Sequence, residues 1–191
     1  MGKRYHSGSV VDDFSFTTPW GGEKQFSSAG AGKKKVLYFL RYYGCNLTKL
    51  AFREIAGDFA RFAEKGVQVW VAIQSSTETV RSEIKEGEFP FEIICDPEGT
   101  LYRLFDIGYL HIGFFIKGLA GTPPRDPTLE KQFRDKMEKA NALGITHGIY
   151  EGCEQQLPAV FVIDENRTIL LAHYARDLSD LPETEELLKA L

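Results

Sequence analysis

Cys45 and Thr48, in the run Tyr43-Gly44-Cys45-Asn46-Leu47-Thr48, are the residues whose types and spacing suit nucleophilic or redox chemistry. A cysteine reacts as its thiolate, and the amide N–H groups and dipole at a helix start favour that anion. A thiol at the junction of a buried strand and a long helix is therefore a candidate nucleophile. Thr48 shares the helix face of Cys45 and offers a hydroxyl to the sulfur, while Arg41 and Lys49 are close enough in sequence to add positive charge. The alternative is a purely structural cysteine, but inert buried cysteines usually sit inside an element rather than at an electropositive end.

The remaining thiols and histidines read differently. Cys153 lies five residues before Pro158 in a glycine-containing segment. It is the internal candidate for resolving an oxidised Cys45, against the alternative of a loop cysteine without that role, because disulfide geometry is strict. Cys95 closes an apolar strand and reads as a small core residue. His6, His111, His147 and His173 show no paired ligand spacing, so no metal and no cofactor is expected. A Cys/His hydrolase using His147 or His173 ranks below redox chemistry, since nothing in the sequence brings either ring to Cys45.

Positioning Cys45 falls to the elements on either side. Lys35–Tyr43 is nearly continuous apolar and aromatic, as expected of a central buried strand. Leu47, Leu50, Ala51, Ile55, Phe59 and Phe62 recur at helical spacing, predicting a helix over Asn46–Glu64 that stops at Lys65-Gly66. Val67–Ile73 is a second buried strand, parallel to the first through a right-handed crossover. Before them, Val10–Ser28 reads as a hairpin around Pro19-Trp20-Gly21-Gly22, a lid or an edge element. After them come a helix over Thr77–Lys85, a short strand over Phe91–Cys95 and a helical turn over Leu101–Phe105. Tyr109–Lys117 is apolar and aromatic, Gly118–Pro127 is a Gly/Pro-rich loop, and Pro127–Leu143 is an amphipathic helix ended by Gly144. Ala159–Ile163 and Thr168–His173 form a hairpin, and Pro182 opens a last helix over Glu183–Leu191.

Composition bounds the classes. With 191 residues, 43% hydrophobic and 26% charged, the chain suits one globular domain without disulfide staples. Its net charge of −4 gives no positive field for nucleic acid. The run Lys33-Lys34-Lys35 reads as a solvated turn; it is no phosphate loop, because no Ser or Thr follows the lysine and the run leads into a strand. Charges recur within every stretch long enough to span a bilayer, and the N-terminal residues form no export signal, so a cytoplasmic location is expected.

Together these residues carry a family likeness. The segment Tyr43–Thr48, with Val11-Asp12-Asp13-Phe14, Cys95-Asp96-Pro97-Glu98-Gly99 and Leu157-Pro158-Ala159-Val160-Phe161-Val162-Ile163-Asp164, resembles the alkyl hydroperoxide reductase/thiol-specific antioxidant family, the peroxiredoxins. The resemblance implies an α/β thioredoxin-like fold over residues 1–191, a central mixed sheet flanked by helices, with an N-terminal hairpin and a helical insert at about 109–156 before a cis-proline strand. It also implies a cis Pro158 facing Cys45, a substrate edge made by Tyr43, Gly44, Leu157 and Pro158, and a positive group at Arg176 that assists peroxide binding, unless Arg176 is an ordinary surface arginine. One departure stands out. The family's usual motif has threonine first and its peroxide-attacking cysteine three residues later, whereas here the order is Cys-x-x-Thr, similar to a monothiol variant of the branch carrying Cys-x-x-Cys.

The expected function is that of an antioxidant thiol oxidoreductase, with Cys45 thiolate attacking a hydroperoxide or a disulfide. Its partners would be the peroxide or disulfide substrate and a small thiol or thioredoxin/glutaredoxin-type reductant, with no nucleic acid, no membrane and a homodimer as one option. The alternative is a noncatalytic thioredoxin-fold binding or dimerisation module that has lost its dithiol and uses Phe114 and Phe115 to hold a partner.

Overall fold

A computed structural model of the chain describes residues 2–110 and 126–191. His111, Phe114, Phe115 and most of the expected Tyr109–Lys117 and Gly118–Pro127 segments lie outside the described residues.

The N-terminal hairpin forms as expected: β1 (Ser15–Thr18) and β2 (Gly22–Gln25) pair antiparallel, with Thr18 opposite Gly22. A short helix α1 (Phe26–Ala29) follows, and then β3 (Lys35–Phe39). The strand ends at Phe39 rather than Tyr43. Phe39 is opposite Ala159, and the next partner position is Pro158, which has no N–H to donate to the ladder. Leu40 makes one more bond, to the Ala72 carbonyl, and the chain then leaves the sheet.

From there α2 (Asn46–Glu64) leads to β4 (Gln68–Ile73), parallel to β3. Helix α3 (Thr77–Glu83) starts at Ser76, whose hydroxyl accepts from the Thr79 amide. Strand β5 (Glu92–Cys95) and helix α4 (Thr100–Leu104) come next. Helix α5 (Pro127–Ala142) begins with Asp126 accepting from the Thr128 amide and proline in its first turn, and ends just before Gly144 at φ 66°. Strands β6 (Ala159–Ile163) and β7 (Ile169–Tyr174) close the sheet, and α6 (Thr184–Lys189) ends the chain's regular structure. Among the described residues the sheet has seven strands in the order β2-β1-β5-β4-β3-β6-β7.

Period-two alternation along the central strands divides the core. Val36, Tyr38, Val71, Ile73 and Val160 pack against Phe52, Ile55 and Phe62 of α2. Leu37, Phe39, Trp70 and Phe161 pack on the opposite face with Phe14, Phe26, Tyr102 and Phe105.

Two expectations are corrected here. Lys35 is not solvated: it is buried, its Nζ donates to the carbonyls of Gly30 (2.6 Å) and Lys33 (3.0 Å), and it sits between the Phe26 and Trp70 rings. Burial lowers its pKa from the ordinary lysine value. The Leu157–Pro158 bond is trans, since no described peptide is cis. The trans form is the intrinsically preferred isomer. It is held on both sides: the Leu157 carbonyl accepts from Gln156 Nε2 (3.2 Å) and the Pro158 carbonyl from the Ala175 amide (3.2 Å).

Candidate functional site at the start of helix α2

After Leu40 the chain leaves the sheet, and Cys45 is the residue that caps α2. Its amide donates to the Tyr42 carbonyl (3.2 Å) and its carbonyl accepts the Lys49 amide (2.9 Å). The side chain is 3% exposed and packs with Tyr42, Leu47, Leu110 and Leu178, and with half-buried Phe133, Met137 and Leu157. No helix amide bonds the sulfur. Instead Arg41 Nη1 donates to Sγ at 3.3 Å. The local charge on the thiol therefore comes from a guanidinium aimed at it, with the α2 dipole behind.

The other expected residues divide into those near this sulfur and those held elsewhere. Thr48 is buried one turn on and makes no hydrogen bond to Sγ. Lys49 lies 3.8 Å from the Glu83 carboxylate, 5.4 Å from the Tyr43 ring centre and 3.4 Å from the Thr146 carbonyl. Arg176 is 67% exposed and engages Asp180 (3.2 Å) and Asp126 (3.6 Å). Tyr43 is buried with its amide on Ser75 Oγ (3.0 Å), and burial pushes its phenol up to about 12. Gly44 carries a strap across it. The Gly148 amide donates to the Gly44 carbonyl (2.8 Å), and a Cβ on Gly44 would stand 2.0 Å from the Ile149 carbonyl oxygen. Leu157 packs in the Cys45 cluster, while Pro158 lines a small cavity with Arg41 and Thr48.

All three cysteines are free thiols. Cys153 is half-buried, outside the Cys45 cluster, with its amide on Gln74 Oε1 (2.9 Å). Cys95 is buried in β5, and burial pushes its thiol up to about 12. Native Cys95 should thus resist iodoacetamide at pH 8, with its peptide unmodified by mass spectrometry while unfolded protein is labelled. A thiol whose folded pKa is raised stabilises the fold below its ordinary value of 9.0, and that stability is lost as pH rises towards about 12. Denaturation midpoints across pH 8–11 should fall less in Cys95→Ala.

Sequence reasoning missed Tyr42 and the partner that reaches it. Tyr42 is fully buried beside Cys45, with its hydroxyl 3.0 Å from His147 Nε2 and the Arg41 guanidinium 5.3 Å from its ring centre. Burial pushes its phenol up to about 12. Tyr150 stacks on His147, ring centres 3.9 Å apart. His147 is thus two contacts from the thiol, through a pairing across 105 residues that no local spacing announces. Among the described residues no group of three His, Cys, Asp or Glu side chains is arranged to hold a metal ion. No described helix is long and apolar enough to cross a membrane.

A model of the AhpC/TSA family matches residues 8–172. Among solved structures, the chain is similar to peroxidoxin BcpB from Mycobacterium tuberculosis, 16% identical, with a TM-score of 0.61 over 98% of this chain and 96% of that one. A putative thiol:disulfide interchange protein DsbE from Chlorobium tepidum is 19% identical, covering 97% of each chain with a TM-score of 0.58. The bacterioferritin comigratory protein of Xanthomonas campestris is 13% identical, covering 100% of this chain and 95% of that one, with a TM-score of 0.62. At these identities the likeness shows the fold, which is α/β and thioredoxin-like. No curated protein matches the chain.

Proposed function

The chain belongs to the AhpC/TSA family, and from that premise we propose that it is a thiol-dependent antioxidant oxidoreductase in which the Cys45 thiolate reduces a hydroperoxide or exchanges with a disulfide. The observation that carries this reading is the Arg41 Nη1 donor 3.3 Å from Cys45 Sγ at the start of a 19-residue helix. A positive donor on the sulfur favours the anion, and the anion is the nucleophile.

The chemistry is balanced by groups of known class. Sγ attacks the distal oxygen of R–O–O–H, the O–O bond breaks, RO⁻ leaves and takes a proton, and Cys45 becomes a sulfenic acid. A thiol then condenses with the sulfenic acid to a disulfide, releasing water, and a second thiol restores Cys45. A small thiol or a thioredoxin/glutaredoxin-type protein supplies both thiols, or Cys153 supplies the first. Thr48, Tyr43, Gly44, Leu157 and Pro158 shape the surroundings of the sulfur, with Lys49 and Arg176 contributing at longer range. The reading takes the chain as one domain, working in the cytoplasm without a metal or cofactor and without nucleic acid or membrane, as a monomer or homodimer.

The test is the rate of Cys45 alkylation in the native protein at pH 7. Arg41→Met, which keeps the stem and removes the charge on the sulfur, should slow the reaction about tenfold. An unchanged rate would remove the proposed activation.

A second reading has its own observation. A thiol 3% exposed with no helix amide on it also suits a noncatalytic thioredoxin-fold binding or dimerisation module. Peroxide consumption unaltered by addition of the protein, together with a concentration-dependent mass in light scattering, would favour that module.

A further inference from the structure

The Arg41 guanidinium that meets Cys45 lacks the usual means of holding an arginine in place. Among the described residues it has no carboxylate partner, its one hydrogen bond is from Nη1 to Sγ at 3.3 Å, and its Nε is buried without an acceptor. A long side chain has much rotamer freedom to lose, and a single contact with a thiol sulfur, a weak acceptor, does not fix it. What lies against the group instead is the Tyr42 ring, whose centre is 5.3 Å from the guanidinium carbon, within the range of a cation–π contact.

Tyr42 is anchored in turn from 105 residues away. Its ring is buried in the Cys45 cluster, and its Oη is 3.0 Å from His147 Nε2. His147 Nδ1 lies 3.0 Å from the Gly148 carbonyl oxygen. A carbonyl only accepts, so Nδ1 carries the ring proton, and in the neutral ring Nε2 accepts from the Tyr42 hydroxyl. A phenol polarised by donating to an acceptor keeps more electron density on its ring, and a guanidinium is drawn to that density. The strap that carries His147 is itself clamped. Tyr150 stacks on the imidazole at 3.9 Å, the Gly148 amide holds the Gly44 carbonyl at 2.8 Å, and Glu151 accepts from the Ser76 amide (3.2 Å) and the Thr79 hydroxyl (3.0 Å). His147 is thus fixed against the turns that follow β3 and β4.

We propose that Tyr42 and His147 are positioning residues for the Cys45 chemistry: His147 fixes the Tyr42 phenol, the Tyr42 ring seats the Arg41 guanidinium, and the guanidinium is thereby kept on Sγ. The proposal rests on the reading of Cys45 as the reacting thiol. Neither side chain takes part in the bond changes at sulfur; both act through Arg41. Their effect on the thiol therefore depends on Arg41 being present, which a general contribution to stability would not.

The experiment measures the rate of Cys45 alkylation by iodoacetamide at pH 7 in the native protein, followed on the Cys45 peptide by mass spectrometry. With Arg41 present, Tyr42→Phe and His147→Ala should each slow the reaction about threefold, the scale of one cation–π contact. His147→Gln, whose side-chain amide reaches about as far as Nε2, should recover most of the loss. In the Arg41→Met protein, already about tenfold slower, Tyr42→Phe and His147→Ala should change the rate by less than about 1.5-fold, because the group they position is gone. Melting temperatures by circular dichroism separate stability from rate, since a general loosening lowers them and acts alike with and without Arg41. Wild-type rates in Tyr42→Phe and His147→Ala would overturn the proposal, as would equal fold losses in the two backgrounds. So would His147→Gln as slow as His147→Ala, or a faster reaction in either variant, which would mean that the strap only shields the thiol. Those results leave the reading of Cys45 in place so long as Arg41→Met is slow. An inert native Cys45, or an Arg41→Met protein as fast as wild type, ends that reading and the proposal with it. A Cys45 that shows the full pattern yet consumes no peroxide ends the peroxidase reading alone.

Discussion

Replacing Cys45 by serine should lower hydroperoxide consumption about 10³-fold or more, with the melting temperature nearly unchanged. Oxygen for sulfur preserves shape inside the cluster of Tyr42, Leu47, Leu110 and Leu178, and Arg41 keeps an acceptor for its Nη1. What is lost is the proposed nucleophile, because a serine hydroxyl beside a guanidinium has no base to deprotonate it and remains neutral at pH 7. The measurement is the colorimetric loss of an organic hydroperoxide with excess small thiol, wild type against variant. Cys153→Ser run in parallel separates the two thiols. If Cys45→Ser kept its rate while Cys153→Ser lost it, the reacting sulfur would be the one beside Gln74. If Cys153→Ser alone slowed turnover without stopping the first oxidation of Cys45, Cys153 would be the resolving thiol.

Gly44→Ala should be the most damaging single-methyl change near the site, costing about 2–4 kcal/mol of stability. The new Cβ would lie 2.0 Å from the Ile149 carbonyl oxygen and 2.9 Å from its carbonyl carbon and amide nitrogen, and backbone atoms cannot rotate away as the end of a side chain does. The strap must lift, losing the Gly148-to-Gly44 hydrogen bond and straining the Tyr42–His147 contact at its base. For a chain of 191 residues the cost corresponds to a fall in melting temperature of about 5–15 °C, read by circular dichroism. A shift below about 1 °C would mean that the strap does not rest on Gly44 in solution. Gly57→Ala serves as the comparison, since a Cβ there meets nothing within 4 Å, and in mid-helix it should stabilise by up to about 1 kcal/mol.

The elements around Cys45 were readable because each is written locally. The spacing of Leu47, Leu50, Ala51, Ile55 and Phe62 with the Lys65-Gly66 stop placed α2, and the unbroken run Ala159–Ile163 placed β6. The end of β3 was not readable, since Tyr42 and Tyr43 look like strand residues; they leave the sheet because the neighbouring strand begins after Pro158, more than a hundred residues on. Lys35 was misread for a similar reason. A lysine beside two others looks solvated until the loop carbonyls of Gly30 and Lys33 and the rings of Phe26 and Trp70 fold around it.

Periodicity and capping over a few residues were enough to give the alternation of strands and helices and the position of Cys45 at the start of α2, while the family was legible as a resemblance of motifs such as Tyr43–Thr48 and Leu157–Asp164. The surroundings of the sulfur come from packing between distant parts of the chain. That packing set Arg41 rather than the helix amides against Sγ, turned Lys49 and Arg176 to Glu83 and Asp180, and brought His147 to Tyr42. Directed contacts of that kind depend on where packed elements aim the ends of long side chains, and such aim is fixed by residues distant in the chain.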